Sequence, residues 1–140
     1  MSIARSSAAF TSRLALVLVV VLGLGASVAH AGVGDYTCDD PSKVYYGNQR
    51  LFQRPACVDC DRVYAKIPEY QEVLRRGLTD KDPQYHILMK KASKRFAAAV
   101  KKMARGKNHD LVAQTGAVRK AKEKAKDIPD RTQDVIDSLD

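Results

Sequence analysis

Apolar and polar positions change rhythm several times along this chain. An unbroken apolar run comes first, from Leu14 to Val21 (LALVLVVV), and continues to about Val28. Residues 32–42 (GVGDYTCDDPS) lose all periodicity and collect Gly, Asp, Pro and Ser, the composition of a loop or loose N-terminal arm. Lys43 to Phe52 (KVYYGNQRLF) has the β-branched and aromatic residues of a short strand, interrupted at Gly47-Asn48. After Pro55, ACVDCDRVY forms a second strand-like run with Val58, Val63 and Tyr64.

The rhythm then turns helical. Ile67, Tyr70, Val73, Leu74 and Leu78 fall on one helical face, with Pro68 in the first turn and Gly77 at the end. Asp82-Pro83 reads as N-cap and first helical residue of a second helix. Tyr85, Met89, Ala92, Phe96, Ala99 and Met103 follow at alternating four- and three-residue steps, a heptad-like seam widened by Leu88 and Val100, and Gly106 closes it. Pro83 to Arg105 would span about 35 Å as a helix. A short turn at 78–81 predicts a helical hairpin. Beyond Gly106, His109 to Ala113 reads as a strand, Gln114-Thr115-Gly116 as a turn and Ala117-Val118 as the start of a partner strand. The run Arg119 to Lys126 (RKAKEKAK) has little period, and Thr132 or Asp130 caps a short last helix with Val135, Ile136 and Leu139.

These elements divide the chain into a leader at 1–31, an arm at 32–54, a strand at 55–64, a helical hairpin at 65–106, and a strand–turn–strand with a final helix at 107–140. The fold class is α+β: a small strand-rich body with a two-helix, coiled-coil-like hairpin. The strands are short and few for a self-sufficient sheet, which predicts that several chains pool them in an oligomer.

Charge and the first 31 residues add a compartment. Arg5 and Arg13 precede the apolar run, which is short for a membrane span, and Ala29-His30-Ala31 follows as a cleavage site. This is the pattern of a secretory signal peptide cut after Ala31. What remains, 32–140, holds 22 of the 24 Lys and Arg and all 16 Asp and Glu, a net charge of +6. An exported basic protein meets acidic partners such as lipid headgroups, lipopolysaccharide or acidic protein segments.

The chemistry on offer is sparse. Cys57 and Cys60 form a C-x-x-C pair. On the strand expected at 55–64 they would point to opposite faces and not bond to each other readily. The residues leave four readings open: a bridge from Cys38 to Cys57 or Cys60 that fastens the arm, a redox pair, part of a metal site with His86 or His109, or no role. A redox pair is expected at a helix N-terminus in a thioredoxin-like setting, which this pattern lacks. The three cysteines and two histidines do not have the spacing of a zinc module, so no metal is expected. No nucleophile motif and no Gly-rich phosphate loop is found, so neither catalytic residues nor a cofactor are expected.

The basic residues are better organised. Lys90, Lys91, Lys94, Arg95, Lys101, Lys102 and Arg105 lie off the apolar seam of the second helix, and Arg75 and Arg76 join them from the first. They form a candidate client- or anion-binding face that acts in a salt-dependent way. Nucleic acid is disfavoured as its partner by export and by the lack of an aromatic platform beside the charges.

Three stretches resemble the Skp/OmpH family of periplasmic chaperones. VDCDRVYAKIPEYQ (58–71) is similar to that family's first strand and first helix, KNHDLVAQTGAV (107–118) to its hairpin after the long helices, and DIPDRTQDVIDSL (127–139) to its closing helix. SKVYYGNQRLFQ (42–53) also resembles the opening strand, so two positions compete for it. The cysteines, the basic run at 119–126 and the shorter helices depart from the family pattern. The resemblance implies a periplasmic homotrimer with projecting helical arms that hold unfolded outer-membrane proteins without ATP. Two alternatives stand beside it: an envelope structural protein whose basic helices bind anionic lipid or lipopolysaccharide, and an exported thiol–disulfide protein using Cys57 and Cys60.

Overall fold

The structure, a computed structural model, describes residues 34–139; the expected leader and its cleavage site lie outside the described residues. In chain order the elements are β1 (Tyr36–Cys38), β2 (Val44–Gly47), β3 (Pro55–Val58), α1 (Cys60–Tyr64), α2 (Pro68–Arg75), α3 (Pro83–Gly106), β4 (Leu111–Gln114), β5 (Val118–Lys120) and α4 (Thr132–Ile136). This is a mixed α+β fold.

The sheet that organises it has the order β2–β4–β3, with β4 antiparallel to β2 and parallel to β3. Leu111, Val112 and Ala113 are all fully buried, as expected of a central strand covered on both faces. Val112 joins the larger core with Ala56, Val58, Val63, Ile67, Phe96 and Val135. Leu111 and Ala113 point the other way, into a smaller core with Ala117, Val118, Tyr36, Val44 and Phe52. One strand thus ties two cores together through the two-residue alternation of its side chains.

Both candidate first strands form, and they flank β4 on opposite sides. The strand expected over 55–64 is corrected: β3 stops at Val58. The Asp59 side chain accepts a hydrogen bond from the Arg62 N–H and caps α1, so 60–64 is helical. The strand–turn–strand at 107–118 is also corrected. Ala117 N–H does close a tight turn onto Gln114 O at 2.9 Å, but β5 then leaves the sheet and pairs antiparallel with β1 in a separate two-stranded ribbon. Strand pairing therefore fastens the N-terminal arm, with Arg119 bonded to Asp39 at 2.7 Å across the ribbon.

The helical hairpin forms at the expected place, and α2 and α3 pack together. Asp82 does not cap α3 through its side chain; its carboxylate instead accepts the N–H and hydroxyl of Thr79. The left-handed residue after α3 is Asn108 (φ 61°), not a glycine. Ala92, Phe96, Ala99, Val100, Met103 and Ala104 are buried on the body, against the sheet, α1 and α4. From residue 74 to residue 91 no residue is buried. Much of the hairpin expected to project is therefore a wall of the core, and only its tip is outside it. Among the described residues no helix is long and apolar enough to cross a membrane.

Candidate functional site

The nine basic residues singled out by sequence fall into two groups once their neighbours are known. Arg75 pairs with Glu72, Arg76 with Glu72 and Gln84, and Arg95 with Glu69 at 3.1 Å and the Leu139 carbonyl at 3.2 Å. The Arg75 pair lies within α2; Arg76 ties the end of α2 to α3, and Arg95 ties α3 to α2 and to the C-terminal segment. Lys102 is also engaged. Lys90, Lys91, Lys94, Lys101 and Arg105 are exposed and have no ion-pair partner among the described residues.

Helical geometry gathers those five. At 100° per residue, Lys90, Lys94, Lys101 and Arg105 fall within an arc of about 60°, Lys91 stands about 40° outside it, and the stripe runs about 22 Å along the axis. It lies opposite the buried face of Phe96, Ala99 and Met103. The whole of α3 contains no Asp or Glu, so no charge within the helix neutralises it. Ile87 lies on the same face and is 56% exposed, and Leu74 on α2 is 61% exposed. A long unpaired cationic face with flexible aliphatic stems attracts anionic surfaces without fixing their shape. The sequence pattern found all nine residues, but only the acids of α2 and the position of the C-terminal segment separate structural cations from free ones.

The cysteines are free thiols, with no bridge from Cys38 to Cys57 or Cys60. Cys38 packs in the smaller core and Cys60 beside the larger one. Cys57 lies on the sheet face opposite Ala56 and Val58, its Sγ 3.6 Å from the Pro129 carbonyl. Cys60 opens α1; its N–H donates to Gln114 Oε1 at 3.0 Å, the same oxygen that accepts the Tyr45 hydroxyl at 2.8 Å. Burial pushes both the Cys57 and Cys60 thiols up, and Asp130 beside the first and Asp61 and Asp59 beside the second add to the effect. Both are poor thiolates at neutral pH, which works against nucleophilic or redox use.

His86 sits on the hairpin, its Nε2 2.7 Å from the Asp80 carbonyl oxygen. His109 lies at the far end of α3 between the Arg54 carbonyl and the Arg131 guanidinium. Among the described residues no three His, Cys, Asp or Glu side chains come together as a metal site. Comparison with protein-family models, curated proteins and solved structures found no match to this chain.

Proposed function

We propose that this chain is a non-enzymatic binding protein of the bacterial envelope that docks on anionic surfaces, lipid headgroups or the phosphates of lipopolysaccharide, through the outer face of α3. The observation that carries this reading is the stripe Lys90, Lys91, Lys94, Lys101 and Arg105 on a helix without a single acid. Each basic residue near an anionic membrane contributes about 1 kcal/mol, so five together give useful affinity at low salt. Attraction falls away within a Debye length of ~8 Å at physiological salt, which makes docking reversible. Ile87 and Leu74 add apolar contact at the tip.

Sedimentation with phosphatidylglycerol vesicles tests this. Binding should be strong at low salt, lost at high salt, and absent with phosphatidylcholine. The triple change Lys90→Glu, Lys94→Glu, Lys101→Glu should weaken it more than tenfold. Equal binding to neutral vesicles, or no effect of the triple change, would sink the reading.

A second reading is a periplasmic holdase, probed by the same face. Its support is the resemblance to Skp/OmpH chaperones together with Ile87 exposed among the cations of α3 and Leu74 exposed on α2, apolar and basic surface that suits unfolded outer-membrane proteins. It carries with it a homotrimer. Light scattering of the purified chain and ATP-free suppression of β-barrel aggregation separate the two: a monomer that binds vesicles and leaves aggregation unchanged excludes the holdase.

A further inference from the structure

At the C-terminal end of α3 lies an open-mouthed cavity of about 280 Å³. Tyr36, Pro55 and Pro129 give it flat apolar walls, and Arg54, Lys107 and Lys126 bring positive charge. We propose that this cavity binds a small organic anion, a single flat ring carrying one phosphate or carboxylate head. The inference does not depend on docking by the outer face of α3.

The walls are held rather than loose. The Tyr36 ring stacks on Phe52 with centroids 6.4 Å apart, and its hydroxyl donates to the Lys126 carbonyl at 3.2 Å. That bond pins the segment carrying Lys126, Asp127 and Pro129 to β1. His109 is fixed at both ring nitrogens. The Arg131 guanidinium can only donate, so Nε2 accepts at 3.2 Å and the proton sits on Nδ1, directed at the Arg54 carbonyl 3.2 Å away. His109 is thereby a neutral wall.

The charge balance selects the ligand's sign. Each acid around the cavity is already engaged. Asp110 accepts the backbone N–H groups of Gln53 and Arg54 at 2.9 and 2.8 Å. Asp127 pairs with Lys120 at 2.7 Å, and Asp134 takes Lys107 and Arg131. The side chains of Arg54 and Lys126 are exposed and have no partner among the described residues. Two uncommitted cations beside apolar walls suit an anionic head on an apolar body. The volume lies just under the ~300–1,000 Å³ of sites for drug-sized ligands, which limits that body to about one ring.

The test is an amide NMR titration of the full purified chain with phenyl phosphate, benzoate, benzyl alcohol and inorganic phosphate. Phenyl phosphate should give saturable shifts centred on Gln53, Arg54, Asn108 and His109, with benzoate next and inorganic phosphate and benzyl alcohol at least tenfold weaker. The double change Arg54→Gln, Lys126→Gln should weaken phenyl phosphate at least tenfold while the rest of the spectrum stays in place. Affinity unchanged in that variant, benzyl alcohol binding as tightly as phenyl phosphate, or shifts spread over Lys90, Lys94 and Lys101 instead of the cavity would each overturn the proposal.

Discussion

Phe96 and Tyr85 belong to one helix and one apolar seam, yet they live in different surroundings. Phe96 is buried, its ring edge-on to Tyr45 at 5.0 Å and tilted against Tyr64 at 5.1 Å. Tyr85 is half-exposed, in a stretch where nothing from residue 74 to residue 91 is buried. The difference lies in what covers the seam. Beyond residue 91 it meets the sheet, α1 and α4; nearer the N-terminus nothing buries it. A heptad-like spacing says which residues share a face, not what lies against that face.

The comparison predicts a graded set of effects. The largest should come from Phe96→Ala, at about 4 kcal/mol lost in urea unfolding, against under about 1 kcal/mol for Tyr85→Ala. Equal losses would mean that the tip is as tightly packed as the body. A second pair uses glycines of positive φ. Gly47 (φ 95°) faces the Asp110 backbone so closely that a methyl group would overlap it, whereas Gly77 (φ 59°) has open space. Gly47→Ala should therefore cost at least about 3 kcal/mol by driving β2 from β4, and Gly77→Ala about 1 kcal/mol from backbone strain alone.

The next effect is nearly silent on stability. Lys94→Glu with Lys101→Glu should change the unfolding free energy by under about 0.5 kcal/mol, because neither side chain has an ion-pair partner to lose among the described residues. A larger loss would place these lysines in the scaffold. The smallest effect belongs to His109, whose imidazole is held below its usual value first by burial and also by the Arg131 charge. The unfolded chain takes up the proton first, so stability is full above about pH 6.5 and falls as pH drops below it. His109→Gln should flatten that slope between pH 7.5 and 5.5, and an unchanged slope would show that other groups carry it.

Much of the secondary structure was legible in the sequence. The hairpin announced itself through Pro68, Gly77 and Pro83 at its boundaries and through one apolar face on each helix. β2, β3 and β4 announced themselves through Val- and Tyr-containing runs between turn residues, whereas β1 lies in the stretch 32–42 that reads as a loop and becomes a strand only by pairing with β5. What misled was pairing. Gln114-Thr115-Gly116 has the chemistry of a hairpin turn, and the turn exists, but β4 finds its partners in β2 and β3, dozens of residues upstream. No local pattern encodes that choice. Asp59 was the missed signal: an N-cap residue directly after Val58 marks the end of a strand and puts Cys60 in a helix. For the candidate site, residue type and spacing identified the basic face. The division between Arg95, tied to Glu69, and Lys94, without an ion-pair partner among the described residues, depends on tertiary neighbours.

The place of β4 has a consequence for how the chain acquires its shape. β2 and β3 do not pair with each other; each waits for a strand that arrives more than fifty residues after β3 ends. Both cores also depend on that strand. A chain emerging N-terminus first at ~5–20 residues per second thus spends several seconds with β2 and β3 made and no strand between them. Its slow step should be the insertion of 111–114 between two waiting edges, a non-local event of the kind that sets folding times in proteins of this contact pattern.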